Sequence, residues 1–338
     1  MKYLASTYCG CIAAAALLSA CGGPAQNAVT PLVTQNLRST QHASWMSPLA
    51  SQAKKLLYVS NYSANEVAVY DNLSKKQVGL LTGFSSPQGQ CVDAKGDVYI
   101  ANAGNGTVVE YAHGGTTPLK TFSTSGDAFG CSVDTANDLA VTDFLGASYA
   151  AGSVTVFPKG SSKGVTYSDP TNCHYIWTAG YDSKGNLVMI AENDASETVT
   201  FCAVLKGAKS LTMLTAKGFT VYSPNSTMWD GKYLALGDQE IGGNLQSGFI
   251  EASLSGSTLK SHGQTVLTDT CDGGYTHVVT PFIAGNKNTP VNDTQSTVVV
   301  GGNELCSADL RAWHYPAGAA PYKSFTFQSD GQSISIGG

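Results

Sequence analysis

The residues with the greatest chemical potential in this sequence are its nine cysteines. Cys9, Cys11 and Cys21 crowd the N-terminal segment, while Cys91, Cys131, Cys173, Cys202, Cys271 and Cys306 are spread through the remainder. An even set of thiols in an exported chain points to disulfides; the alternative is a set of buried free thiols at small-residue positions. Zinc chelation is disfavoured, because no Cys-x-x-Cys occurs and the spacings are too dispersed. Neither a His-Glu-x-x-His helix motif nor a phosphate loop is present. The chemistry therefore depends on which dispersed residues the fold gathers.

Internal repetition supplies that fold. Leu57-Tyr58-Val59-Ser60-Asn61, Val67-Ala68-Val69-Tyr70 and Ser86-Pro87-Gln88-Gly89-Gln90-Cys91-Val92-Asp93 are followed by similar copies: Val98-Tyr99-Ile100-Ala101-Asn102, Val108-Val109-Glu110-Tyr111 and Gly130-Cys131-Ser132-Val133-Asp134. Tyr58 to Tyr99, Tyr70 to Tyr111 and Asp93 to Asp134 share one interval of 41 residues (99 − 58, 111 − 70, 134 − 93). Asp182 and Asp230 continue the aspartate series at intervals of 48 (182 − 134, 230 − 182), and Ser223 to Asp230 overlays Ser86 to Asp93 without a gap. Second strands are expected at Leu139–Asp143, Leu187–Glu192, Tyr233–Asp238 and Thr297–Gly301. Third strands are expected at Val154–Phe157, Val199–Val204, Phe249–Leu254 and Leu310–Tyr315. A period of about 40 to 50 residues with four short strands per unit predicts an all-β, six-bladed β-propeller over residues 53–338.

The frame also predicts how the ring closes. The domain begins on a second strand, Leu57, without the inner strand that precedes it in other units. Gln332-Ser333-Ile334-Ser335-Ile336 reads as an inner strand with no blade after it. The C-terminal strand is therefore expected to complete the first blade and cover an edge left unpaired otherwise.

These motifs resemble NHL-type propellers and their bacterial lipoprotein relatives, closely in the first two units and loosely in the fifth and sixth. The resemblance implies a fold and not an activity.

The N-terminus reads as an address. Lys2 opens a short basic region, and Ile12 to Leu18 is an apolar run too short to span a bilayer, so residues 1–20 read as a signal peptide. Leu18-Ser19-Ala20-Cys21-Gly22 resembles the lipobox of bacterial lipoproteins, which implies lipidation of Cys21 and anchoring to a membrane. Gly22 is not the aspartate that, in the enteric rule, retains lipoproteins at the inner membrane, which implies the outer membrane or cell surface of a bacterial envelope. Residues 21–52, rich in Ser, Thr, Gln, Ala and Asn, read as a flexible tether.

Within the propeller frame, Cys271 and Cys306 fall in loops on one rim and are expected to pair. Cys173 is placed to reach Cys202 in its own blade, and Cys91 pairs with Cys131 on adjacent inner strands by elimination. Loops before inner strands and after second strands converge on one mouth of the central channel, where propellers bind ligands. Gln88, Phe129, Trp177 and Asn225 occupy equivalent positions there, with Tyr275, His277 and Asp330 nearby. Such a mouth suits a sugar, a peptide or a small polar ligand; alternatively these side chains fill and cap a narrow channel. Asn61, Asn102, Asp143 and Asp238 end second strands and offer oxygen ligands to a cation or, more often, bond their own loops. Asp93, Asp134, Asp182 and Asp230 are expected to be turn residues.

Pro224-Asn225-Ser226 resembles the Pro-Asn-Gly of calcium-dependent six-bladed lactonases, which would put Asn225 on Ca²⁺, but the matching glutamate of the first blade has no counterpart here. Streptogramin lyases use histidines and magnesium; only His174 and His277 fall near the mouth. No cofactor is assigned beyond that weak calcium candidate.

Composition excludes other classes. Charged residues make up only 13%, the balance is 19 Lys and Arg against 24 Asp and Glu, and the basic residues form no stripe, which argues against nucleic acid. The expected molecule is a monomeric, lipid-anchored binding scaffold for an unidentified protein or small polar ligand, with a metal-dependent hydrolase or lyase as the alternative.

Overall fold

The computed structural model describes residues 43–53, 55–72, 74–243, 246–268, 278–284, 298–303, 309–326 and 334–337. Among them every regular element is a strand, apart from single 3₁₀ turns. No described helix is long and apolar enough to cross a membrane.

The strands follow the expected repeat. The first sheet contains β1 (Trp45–Met46), β2 (Leu56–Asn61), β3 (Glu66–Asp71) and β4 (Gln77–Thr82). The next contains β5 (Pro87–Val92), β6 (Val98–Asn102), β7 (Thr107–Tyr111) and β8 (Pro118–Ser123). Then come β9 (Gly126–Val133), β10 (Leu139–Gly146), β11 (Ala151–Phe157) and β12 (Val165–Tyr167). These are followed by β13 (Tyr175–Tyr181), β14 (Leu187–Glu192), β15 (Val199–Val204) and β16 (Thr212–Lys217). A further meander comprises β17 (Pro224–Trp229), β18 (Leu234–Asp238), β19 (Gly248–Ser255) and β20 (Thr258–Val266). The last comprises β21 (Val278–Ala284), β22 (Val298–Asn303), β23 (Asp309–His314) and β24 (Gly318–Thr326), before β25 (Ile334–Gly337).

Strands β2–β4 and each later group of four form an antiparallel meander, and β25 adds to the first by pairing Ile334 with Asn61 and Ile336 with Val59. The C-terminus thus supplies the inner strand missing at the start of the domain. The inner strands neighbour one another in the order β5, β9, β13, β17, β21, β25 and back to β5.

Two features depart from the simple repeat. Trp45 and Met46, inside the stretch read as a tether, pair with Leu80 and Gly79 and add a strand outside β4, with Met46 packed on the core. The outer strands β16 and β20 pair in parallel through Thr215–Lys217 and Thr258–Lys260, joining two meanders into one eight-stranded sheet.

Burial explains why the second strands read as continuous apolar runs instead of alternating ones. Each sheet is covered on both faces, so both side-chain sets of a strand enter a core. Tyr58 and Val69 face Ile100 and Val109 on one side of the first sheet, while Leu57 and Val59 on the other side pack with Leu310 and Ala312. Tyr99 and Val108 face Val141 and Phe157; Val188 and Ile190 face Leu236 and Ile250. Near the axis there is little room: a Cβ on Gly180 of β13 would lie 2.7 Å from the carbonyl oxygen of Thr227 on β17.

The aspartates placed in turns are there. Asp93 Oδ1 accepts the N–H groups of Lys95 and Asp97 at 2.8 and 3.0 Å, and Asp134 and Asp182 repeat the pattern. Asp230 accepts Lys232 and Tyr233 N–H at 2.6 Å.

Candidate functional site

The described inner strands that begin a meander share one irregularity. Register shifts fall between Pro87 and Gln90 on β5, opposite Thr142/Asp143 on β9, between Ile176 and Thr178 on β13, between Pro224 and Thr227 on β17, and between Val279 and Phe282 on β21. A bulge inserts an extra residue and re-aims its side chain. Gln88, Phe129, Trp177 and Asn225 are bulge residues, so the four positions aligned in sequence are equivalent in geometry. In the last sheet the corresponding residues are Thr280 and Pro281. Tyr275, His277 and Asp330 lie outside the described residues, as do Cys21, Cys271 and Cys306.

Of the side chains closing the second strands, Asn102 and Asp238 hold the loops that enter the bulges of β5 and β17. Asn102 Oδ1 accepts Ser85 N–H at 2.6 Å; Asp238 accepts Ser223 N–H at 2.9 Å, Glu240 N–H at 3.0 Å and Tyr222 N–H at 3.2 Å. Asp143 Oδ2 accepts the Ser153 hydroxyl at 3.0 Å, and Asn61 Oδ1 accepts Ala64 N–H at 3.0 Å. Asn61 and Asp238 thus bond their own loops as expected, whereas Asn102 bonds the loop before β5 and Asp143 bonds Ser153 of β11. Burial pushes the carboxyls of Asp143, Glu192 and Asp238 above the usual carboxylate range, an effect partly offset at Asp143 and Asp238 by the hydrogen bonds they accept.

Phe129 and Trp177 come together, edge to face with ring centroids 5.9 Å apart. Phe144, near the end of β10, lies 5.5 Å from Phe129 and 4.6 Å from Trp177, and stacks on Tyr175 at 5.4 Å. All four rings are partly exposed. Tyr175 donates its hydroxyl proton to Asp194 Oδ1 at 2.9 Å. Trp177 Nε1 is buried without a partner in hydrogen-bond geometry, although the indole is close enough to Glu192 to lower that carboxyl's affinity for a proton. Beside this cluster the β10–β11 hairpin continues past the rim through the Leu145–Ala151 pair. Its tip places Ser148 and Tyr149 in the left-handed region, at φ 60° and 62°, and Tyr149 is 87% exposed. Consecutive non-glycine residues in that region are strained and occur where a surrounding structure imposes them.

Gln88 and Asn225 do not join this cluster. Gln88 accepts the Gln90 side-chain amide through its carbonyl oxygen, and that amide also donates to Ser60 Oγ. Asn225 is buried, and its Oδ1 accepts the Ser226 hydroxyl at 3.1 Å. Among the described residues no three His, Cys, Asp or Glu side chains converge as a metal-binding group. His174 Nδ1 is 3.2 Å from the Pro170 carbonyl oxygen, and its ring meets Tyr175 edge-on at 4.5 Å.

Cys91 is joined to Cys131 and Cys173 to Cys202, with Cα separations of 5.6 and 6.8 Å, as expected. The second bridge ends at Cys173, one residue before His174 and two before Tyr175, and so ties the aromatic cluster to β15. Disulfides suggest an oxidising, extracytoplasmic compartment.

The sequence frame did not single out Phe144, Tyr175 or Glu192. Phe144 sits in an extension of β10 without a counterpart in the other copies, but Glu192 was legible as the β14 equivalent of Asn102 and Asp143. Gly160-Ser161-Ser162-Lys163-Gly164 spells the Gly-x-Ser-x-Gly of hydrolase nucleophile elbows. It forms the turn between β11 and β12, with no helix after it, on the rim opposite the bulges. Two shallow clefts of about 380 and about 270 Å³ flank Phe219 and Thr220, and no bulge residue lines either.

No protein-family model matches the chain. No curated protein matches it either. Among solved structures, a chain of the nidogen/laminin complex is similar over 83% of this chain and 97% of its own, at 12% identity and a TM-score of 0.59. Kuenenia stuttgartiensis hydrazine synthase is similar over 85% of this chain and 80% of its own, at 14% identity and a TM-score of 0.55. Both are β-propeller folds, and at these identities the likeness concerns the fold alone.

Proposed function

We propose that the protein is an exported, six-bladed β-propeller, anchored to the bacterial envelope through lipidated Cys21, that acts as a binding scaffold. The cyclic order of inner strands supports the blade count, and the disulfides support export. The observation that carries the binding role is the alignment of bulges at one end of the inner strands. An independent β-meander has no need of a bulge at the same place in successive copies, whereas a shared mouth lined by re-aimed side chains does. Variable loops on a rigid disc then set what is bound.

A photo-cross-linking residue placed at Gln88 or Tyr149 on the mouth side should yield partner adducts in cells, and one at Lys95 or Lys184 on the opposite rim should not. Adducts from the far rim alone would move the binding face and overturn the reading. For the address, Cys21→Ser should release the protein from membranes; retention of that variant removes the lipid anchor from the proposal.

The alternative, a metal-dependent hydrolase or lyase at the mouth, rests on Asn225, which occupies a buried bulge as a channel-facing metal ligand would. A specific cation site raises melting temperature by mass action. A rise with millimolar Ca²⁺ or Mg²⁺ that Asn225→Ala abolishes would favour it; no rise would set it aside.

A further inference from the structure

We infer that the mouth face docks a cationic polypeptide segment, with a Lys or Arg side chain seated on the patch formed by Phe129, Phe144, Tyr175 and Trp177 beside Glu192 and Asp194. The inference rests on the reading of the mouth as the binding face and names its partner class.

Charge is segregated between the two rims. The described mouth-side connections carry Asp169, Asp194, Glu197 and Glu240 and contain no Lys or Arg; Lys217, the last residue of β16, closes a strand on that side. The described far-side connections carry the lysines, among them Lys75, Lys95, Lys184 and Lys206, interspersed with the turn aspartates; turn N–H groups bond Asp169 on the mouth side as they bond Asp93 and Asp182 on the far side, so the difference between the rims lies in the lysines. Among the described connections the mouth side is therefore the one with carboxylates and no lysines, in a chain of net charge −5, and such a face attracts and orients a positive partner.

The ring cluster supplies the second, independent element. Aromatic faces attract ammonium and guanidinium groups, by about 0.5–2 kcal/mol according to desolvation. Here the rings are partly exposed, mutually braced within 4.6 to 5.9 Å, and flanked by two carboxylates. A neutral sugar would use the rings and have no use for the charge segregation; an anionic ligand would be repelled by it.

The shape argues for a polypeptide over a small cation. The four rings are partly exposed and stand beside a projecting hairpin whose tip carries exposed Tyr149, a span longer than a small cation covers. Three mouth-side loops, Tyr62-Ser63-Ala64-Asn65, Ala103-Gly104-Asn105-Gly106 and, beside the patch, Ala147-Ser148-Tyr149-Ala150, have the Tyr, Ser, Gly and Asn composition of protein-recognition loops.

The test uses the purified mature protein, titrated calorimetrically with hexalysine, hexaglutamate, a neutral Gly/Ser peptide and free choline. Hexalysine should bind, with affinity falling as salt rises, and hexaglutamate and the neutral peptide should not. Glu192→Gln combined with Asp194→Asn, which preserves shape, should weaken hexalysine about tenfold or more, as should Phe144→Ala. Lys184→Glu on the far rim should leave the affinity unchanged. Absence of hexalysine binding at millimolar concentration overturns the inference. So does equal binding by Phe144→Ala and the double variant, which would reduce the effect to diffuse charge. Choline binding as tightly as the peptide overturns the polypeptide assignment. Binding of the neutral peptide that is lost in Phe144→Ala overturns the cation inference and leaves the mouth as the binding face, whereas the cross-linking experiment alone decides that wider reading.

Discussion

Cys91 and Cys131 form a covalent link between β5 and β9, inner strands of neighbouring sheets that share no hydrogen-bonded ladder. Where a ring of sheets is held mainly by apolar faces, such a bridge resists the parting of one blade from the next. The loop it closes spans 40 residues. Loop-closure entropy for that length gives about 4 kcal/mol, an upper figure for a measured effect. Cys91→Ser with Cys131→Ser should therefore lower unfolding free energy in urea by roughly 2–4 kcal/mol. Secondary structure by circular dichroism should be unchanged before the transition. An unchanged urea midpoint would mean that apolar contacts alone set the blade junction.

The same two strands approach closely through Gly89. A Cβ there would lie 2.8 Å from the Phe129 carbonyl oxygen and 2.9 Å from Gly130 Cα, both backbone atoms that cannot rotate away. Gly89→Ala should destabilise by about 1–3 kcal/mol, as overpacked sites do. It should also displace the Phe129 bulge, so hexalysine affinity should fall with stability. A variant as stable as the parent in thermal melts would show that the inner strands can separate freely.

Asp238 offers a test of the clamps beneath the mouth. Its carboxylate accepts Tyr222, Ser223 and Glu240 N–H groups and is itself buried. Asp238→Ala strands these donors at about 1–3 kcal/mol for an unsatisfied group. Asp238→Asn keeps one accepting oxygen and should lose less. Hydrogen exchange should show the Tyr222 and Ser223 amides opening in Asp238→Ala before the rest of the sheet. Equal stability of both variants and the parent would reassign the side chain to solvent.

What could be read from the residues, and what could not, follows from which constraints repeat. A turn of each blade needs a short acceptor two residues before a free N–H, so Asp93, Asp134, Asp182 and Asp230 recur and fix the frame. The bulge positions followed from that frame because they lie at a fixed distance before the aspartates. Phe144 did not, since the β10 extension is a single insertion on the rim, and function-bearing rim segments differ from blade to blade. The parallel β16–β20 pairing was also illegible: it joins outer strands of separate meanders through Thr215 and Thr258, with no local pattern to announce it.

Buried tyrosines make stability sensitive to alkali. Burial pushes Tyr58 up to about 12, and it also raises Tyr70, Tyr99, Tyr181 and Tyr315. A phenol whose folded pKa lies above its unfolded value of 10.0 binds its proton more tightly when folded. Its stabilising contribution is complete below that unfolded value and is lost as pH rises through the folded one, because the unfolded chain ionises first. Melting temperature should fall steeply from about pH 10 upward. Tyrosinate absorbance should appear in two steps, the second coincident with unfolding. Tyr58→Phe should blunt the alkaline loss. A single absorbance step in the folded protein would show these hydroxyls to be solvent-accessible.

Closure by β25 sets the last expectation. Removing residues 333–338 takes away the strand that pairs with Tyr58, Val59, Ser60 and Asn61, and leaves β2 with an open edge at the centre of the ring. The loss exceeds the ladder bonds themselves, because β25 also stands between β21 and β5. Leu57 and Val59, packed with Leu310 and Ala312, then have no strand holding the two sheets in register. An exposed inner edge is also a template for a second chain. The truncated protein should melt at a markedly lower temperature and elute as larger species than the parent, and a peptide carrying residues 330–338 added in trans should restore the parent's elution volume. Deletion of Trp45 and Met46, which cover the outer edge at β4 and add only the Met46 side chain to the core, should cost far less. If both deletions behaved alike, the ring would be held by its faces and not by the strand that joins its ends.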